Sequence, residues 1–249
     1  SKYTDYDVAS SGNKTNVIEA VARECKKQGM KLGLYYSLWD RKANADVDNV
    51  ESDREYNTYM LKQLDELMDI TEKYTKIVEF WFDGSWVKPG YRWPIEGIYR
   101  TIKSREPQCQ VGINWTIGED ADPHNPNAPE KSYKIIPEEQ KEGDPIRYFP
   151  SDFRLGDPLL PANPDPKVFT HNGRRYYMPF ESTVCLSKRW FYHTTDKEYK
   201  SIDELVELYQ QATAQDNILI LNLPPNREGK MRQKDVDLLI ELRKHIRKL

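Results

Sequence analysis

Little in this chain invites a metal or a redox cofactor. Only three of its 249 residues are cysteine (Cys25, Cys109, Cys185) and four are histidine. No CxxC or Cys/His spacing connects them, which argues against a disulfide framework and leaves no recognisable zinc site. A dominant sign of charge is also missing. Lys and Arg number 37 against 40 Asp and Glu, a formal net charge of −3, so bulk electrostatics gives no reason to expect a nucleic-acid or anionic-membrane partner. No apolar run approaches the ~18 residues of a membrane span, and the opening Ser1-Lys2-Tyr3-Thr4 does not read as a signal peptide. What the chain does have is rings: 16 Tyr, 7 Phe and 6 Trp, enough to fill a core despite 31% charged residues. Its length suits one (β/α)8 barrel of ~250 residues or two ordinary domains.

Short apolar runs alternate with amphipathic stripes. Met30 to Tyr36, Ile77 to Asp83, Gln110 to Asn114 and Asn217 to Asn222 suit strands buried on both faces of a parallel sheet. Further strands are expected near Arg147 to Phe149 and Tyr177 to Val184. Helical spacing is carried by Val17, Ile18, Val21, Ala22 and Cys25; by Met60, Leu61, Leu64, Leu67 and Met68; by Ile95, Ile98, Tyr99 and Ile102; and by Val236, Leu239, Ile240 and Ile246. Ile202, Leu205, Val206 and Tyr209 form another stripe, behind Ser201 and Glu204, which have the spacing of a capping box. Strand then helix, repeated, predicts an α/β fold of right-handed βα units.

The stretch from Trp115 to Arg175 breaks this rhythm with 10 of the 16 prolines. It is expected to be a long excursion over the C-terminal mouth of the sheet within one domain spanning residues 1–249, a domain boundary being the competing reading. About six βα units can be counted where a closed TIM barrel needs eight. The expectation is therefore an incomplete (β/α)8-type barrel that lacks its first two units.

Asp83 ends an apolar strand in Trp81-Phe82-Asp83-Gly84-Ser85-Trp86. Parallel sheets bind ligands at their carboxyl ends, and the neighbouring Trp81 and Trp86 offer flat faces for the C–H surface of a sugar. A lone Asp-Gly after a strand is more often a cap; the two tryptophans tip the balance toward a site. Glu181, in Tyr177-Met178-Pro179-Phe180-Glu181, is the second candidate, because an aromatic setting disfavours the charged carboxylate and suits a general acid. A structural glutamate on an edge strand is equally compatible with the local sequence. Two such acids would match glycoside hydrolysis.

Ser1 to Val8, Leu32-Gly33-Leu34-Tyr35-Tyr36-Ser37-Leu38-Trp39, Trp81-Phe82-Asp83-Gly84 and Asn217 to Asn222 together resemble the family 29 glycoside hydrolases, the α-L-fucosidases. The likeness runs from the end of that family's second barrel strand to its last barrel helix, without the C-terminal β-sandwich. It implies a retaining exo-α-L-fucosidase acting on fucosylated oligosaccharides or glycoconjugates, with no metal or organic cofactor. Asp83 matches the family's nucleophile, Trp81 a residue lining the fucose pocket, and Tyr36 a fucose-contacting position. Pro179 to His193 is similar to the branch that prefers α-1,3/4-linked fucose, where Glu181 would be the acid/base; in other members Asp152 or Asp157 would be rivals.

The sequence departs from the family in three ways. The strands whose histidines bind fucose hydroxyls are absent, Asn114-Trp115-Thr116 stands where an Arg is common, and Ser182 to Leu186 replaces a more usual run. Export to a bacterial periplasm or the cell exterior is a further family expectation. The alternatives are a non-catalytic glycan-binding remnant and an unrelated α/β hydrolase. The latter is disfavoured because neither Gly-x-Ser-x-Gly nor HExxH occurs.

Overall fold

A computed structural model describes residues 1–43, 50–88, 91–122 and 125–247. The chain divides into two compact units. The first comprises Ser1–Lys134, Pro145–Arg154 and His171–Gly173; the second comprises Ile135–Asp144, Leu155–Thr170 and Arg174–Leu249. The proline-rich excursion is thus shared between the two.

In the first unit the elements run α1 (Val17–Gln28), β1 (Leu32–Ser37), α2 (Val50–Thr71), β2 (Ile77–Asp83), α3 (Ile95–Arg105), β3 (Gln110–Ile113), β4 (Gly118–Glu119), β5 (Tyr133–Lys134) and β6 (Phe153–Arg154). The Asn16 side chain caps α1 by accepting from the Glu19 backbone N–H, and Gly29 ends that helix in the left-handed region at φ 66°. Strands β1, β2, β3 and β6 form a four-stranded sheet in that order, and every pairing is parallel. Alternation along the strands gives the two faces different tasks. Leu34 and Tyr36, Phe80 and Phe82, and Val111 and Ile113 pack against Met60, Leu64 and Met68 of α2 and Ile98 and Ile102 of α3. Each fully buried side chain of this size contributes ~1.5–3 kcal/mol, so this face fixes the sheet. The opposite face carries Tyr35, Trp81 and Asp83. There the Phe153 ring lies over Gly112, where an added Cβ would meet it at 2.3 Å.

The second unit holds β9 (Glu181–Cys185) and β10 (Ile218–Asn222), preceded by the two-stranded pairing of β7 (Val168–His171) with β8 (Arg174–Tyr177). Helices α4 (Ile202–Ala214) and α5 (Gln233–Ile246) complete it. β9 and β10 are parallel, with Glu181 opposite Ile218 and Cys185 opposite Asn222. The capping box is present: Ser201 and Glu204 exchange side-chain-to-backbone bonds at the start of α4. Leu186, Leu205, Leu238 and Leu242 form the core.

The α/β reading holds, with strands and helices at the positions that periodicity gives. The described strands form one four-stranded sheet and three two-stranded ones. Two expectations need correction. Arg147 to Phe149 is not a strand; pairing to β3 falls instead on Phe153–Arg154, just beyond Pro150, which has no N–H to offer a ladder. The run from Tyr177 to Val184 is broken at Met178–Phe180, because Pro179 interrupts it and a new strand begins at Glu181.

Candidate active site at the tip of β2

Asp83 is the last residue of β2, and the neighbouring strands hold it in place. Its backbone carbonyl accepts from the Leu38 N–H at 2.7 Å, and the Phe82 carbonyl accepts from the Asn114 N–H at 2.8 Å. Gly84 follows at φ 83°, in the left-handed region, where a side chain would be strained and would crowd Ser37 Oγ at 3.1 Å. The chain therefore turns away sharply and leaves the half-buried carboxylate at the strand tip.

Both carboxylate oxygens receive a hydrogen bond. The Tyr35 hydroxyl donates to Oδ2 at 2.9 Å, and the Asn114 side-chain amide donates to Oδ1 at 3.0 Å. One donor comes from β1 and the other from the residue just beyond β3. Two such bonds, one to each oxygen, fix the orientation of the group. The Tyr35 ring also stacks on Trp81, with centroids 5.6 Å apart and planes at 24°. Tyr35 is 59% exposed, so this ring pair presents an open aromatic surface beside the carboxylate. The arrangement can hold an anionic nucleophile against an apolar sugar face.

Of the residues singled out from the sequence, Trp81 and Asp83 lie on the same side of β2 and are brought together. Trp86 sits on a 3-10 turn at Ser85–Val87, 48% exposed. It lines a cavity of about 860 Å³ whose walls include Ser85 but not Asp83 itself.

Tyr36 is a correction. Its ring faces the helices, its hydroxyl donates to Gln63 Oε1 at 2.7 Å, and burial pushes its pKa up. In the Tyr35-Tyr36 pair, Tyr35 is the one that reaches Asp83. Strand alternation puts one tyrosine on each face, but the register that decides between them is shifted by an irregularity at Leu32/Gly33.

Glu181 is a second correction. It is the first residue of β9, 1% exposed, and lies in the other compact unit. It therefore stands at the amino end of a parallel strand, opposite the end where such sheets bind ligands. Asp152 is structural, accepting from the Tyr99 hydroxyl, the Val111 N–H and Lys103 Nζ; Asp157 falls in the second unit. Sequence reasoning missed Tyr35 and Asn114. The signals for Asn114 were its place at the end of the Gln110 to Asn114 run and its standing where the family commonly has an Arg.

A family model described as alpha-L-fucosidase matches residues 1–248. Among curated relatives, alpha-L-fucosidase 1 of Arabidopsis thaliana is 27% identical over 97% of this chain and 44% of its own length. Among solved structures, alpha-L-fucosidase isoenzyme 1 from Paenibacillus thiaminolyticus aligns with a TM-score of 0.70 at 23% identity, covering 99% of this chain and 56% of that one. A Ruminococcus gnavus family 29 fucosidase in complex with fucose gives 0.66 at 20% identity, over 99% and 51%. At these identities the structural likeness shows the fold alone. The chain spans less than half the length of the curated relatives it matches. From the match along nearly its whole length, the chain belongs to the alpha-L-fucosidase family.

Proposed function

We propose that this chain supplies the nucleophile and part of the sugar site of a retaining α-L-fucosidase, built on a (β/α)8 barrel to which its βα units belong. The observation that carries the reading is the Asp83 carboxylate, fixed at a parallel strand tip by Tyr35 and Asn114 beside the Tyr35–Trp81 ring pair. In this scheme an Asp83 oxygen attacks the anomeric carbon of fucose as the bond to the aglycone oxygen breaks. The leaving oxygen takes a proton from a second carboxylic acid, and water later releases fucose from the glycosyl-enzyme. Glu181 begins its strand, opposite the end where parallel sheets bind ligands, so the proton donor is sought among other acids. Terminal fucose in α-1,3/4 linkage is the substrate favoured by the motif in residues 179–193.

The test is release of 4-nitrophenol from 4-nitrophenyl α-L-fucoside. Asp83→Asn abolishes it, whereas Asp83→Gly with added azide yields β-fucosyl azide, the product of a single inverting attack where the carboxylate stood. Wild-type turnover in Asp83→Asn would remove Asp83 from the mechanism.

A further inference from the structure

We infer that the cavity beyond the carboxyl end of β2 receives the rest of the fucosylated glycan and selects aglycones bearing an acidic group, a carboxylate or a sulfate ester. The inference rests on the fucosidase reading of Asp83 and extends it to the other side of the scissile bond.

The cavity, of about 860 Å³, is walled by the turn after β2, the start of α3, and residues 120–122, 131–134 and 147–149. It adjoins the carboxylate in two ways. Ser85, in its wall, is two residues past Asp83 and so within ~7 Å along the chain. The dipeptide Asn114-Trp115 forms the second link. The Asn114 amide holds Asp83, Asn114 Oδ1 accepts from the Trp115 backbone N–H at 2.9 Å, and the Trp115 ring carries the Lys134 ammonium 3.3 Å from its centroid. Trp115 is held at φ 62°, a left-handed conformation that costs a bulky residue and persists where the surroundings enforce it.

The cavity's chemistry is that of an amphipathic, cationic sugar site. Trp86 and Tyr133, 48% and 43% exposed, present flat faces from its walls. Its two arginines are neutralised internally, Arg147 by Asp120 at 2.7 Å and Arg92 by Asp122 at 2.8 Å. Among the described residues, neither Lys131 nor Lys134 has a carboxylate within ion-pair distance, although both line the cavity. Burial, and then the charge of Arg147, hold Lys134 below the ordinary lysine value. An anionic group docked between Lys131 and Lys134 would relieve the repulsion from Arg147 and accept charge-assisted hydrogen bonds.

The test compares kcat/KM of the protein on a neutral fucosylated N-acetyllactosamine with that on the same glycan carrying a sialic acid or a sulfate ester. At low salt, at least one acidic form is preferred about ten-fold, and the preference shrinks at high salt as the lysines are screened. In Lys131→Gln/Lys134→Gln the ratio falls to about one; the exposed single variant Lys131→Gln loses part of it. Preference for the sialylated form alone identifies a carboxylate site, for the sulfated form alone a sulfate site, and for both a general anion site. Equal or better use of the neutral glycan overturns the inference, as does a folded double variant that keeps the acidic preference. Fucose release without acidic preference removes the cavity assignment and leaves Asp83 standing. Acid-selective binding by calorimetry without cleavage of any fucoside removes the catalytic reading and leaves the cavity. Neither cleavage nor acid-selective binding removes both.

Discussion

The Asn114 side-chain amide donates to Oδ1 of Asp83 across 3.0 Å while its own oxygen is held by the backbone of Trp115. Anchored at both ends, the amide fixes the carboxylate from the β3 side. Asn114→Ala removes a bond to a charged group, worth ~1.5–3 kcal/mol, and should lower kcat on an aryl α-L-fucoside about 10- to 100-fold with a smaller change in KM. Asn114→Asp is expected to be at least as damaging, because it faces one carboxylate with another. Steady-state kinetics on the two variants checks this.

The two tyrosines of β1 are expected to separate cleanly. Tyr35→Phe loses the donor to Asp83 Oδ2 but keeps the stack on Trp81, so kcat falls about ten-fold or more while the fold is retained. Tyr36→Phe loses only the bond to Gln63 behind the sheet. It is expected to lower the unfolding free energy by ~1 kcal/mol with kcat unchanged. Equal kinetic losses in both would contradict the two-faced reading of this strand.

Glu181→Gln replaces the carboxyl group at the buried start of β9 with an amide. The expected result is a lower melting temperature, with a stability loss of ~1–3 kcal/mol. Added azide should restore no activity, since azide rescues an acid/base variant only where the missing carboxylate faced the anomeric centre. Azide-dependent recovery in Glu181→Gly would return this residue to the mechanism.

Gly112→Ala places a methyl group where the Phe153 ring already lies. Overpacking of this kind costs ~1–3 kcal/mol, to be seen as a lower urea midpoint, and it should also disturb Trp81, which is paired with Gly112.

Alkaline pH offers a further check. Burial pushes the Cys109 thiol from about 9 up to about 12. Its folded value lies above its unfolded one, so the neutral thiol's contribution is complete below pH ~9 and is lost as pH rises toward 12. Denaturant midpoints should decline over that window, less steeply in Cys109→Ala measured against its own neutral-pH value. Native alkylation should spare Cys109 until the protein unfolds.

The amino-acid sequence by itself determined the alternation of strands and helices, the caps at Ser201 and Gly29, and the presentation of Asp83. Each depends on neighbours a few residues away: apolar period, hydrogen-bonding side chains beside a helix end, and a glycine that lets the chain turn after a strand. The tertiary structure alone decided which tyrosine of β1 meets the carboxylate, that Asn114 completes the grip, and that Glu181 begins its strand instead of ending it. Those outcomes turn on register between strands far apart in sequence, where an irregularity between Leu32 and Gly33 or a proline at 179 shifts every side chain that follows, and no local pattern encodes such a shift.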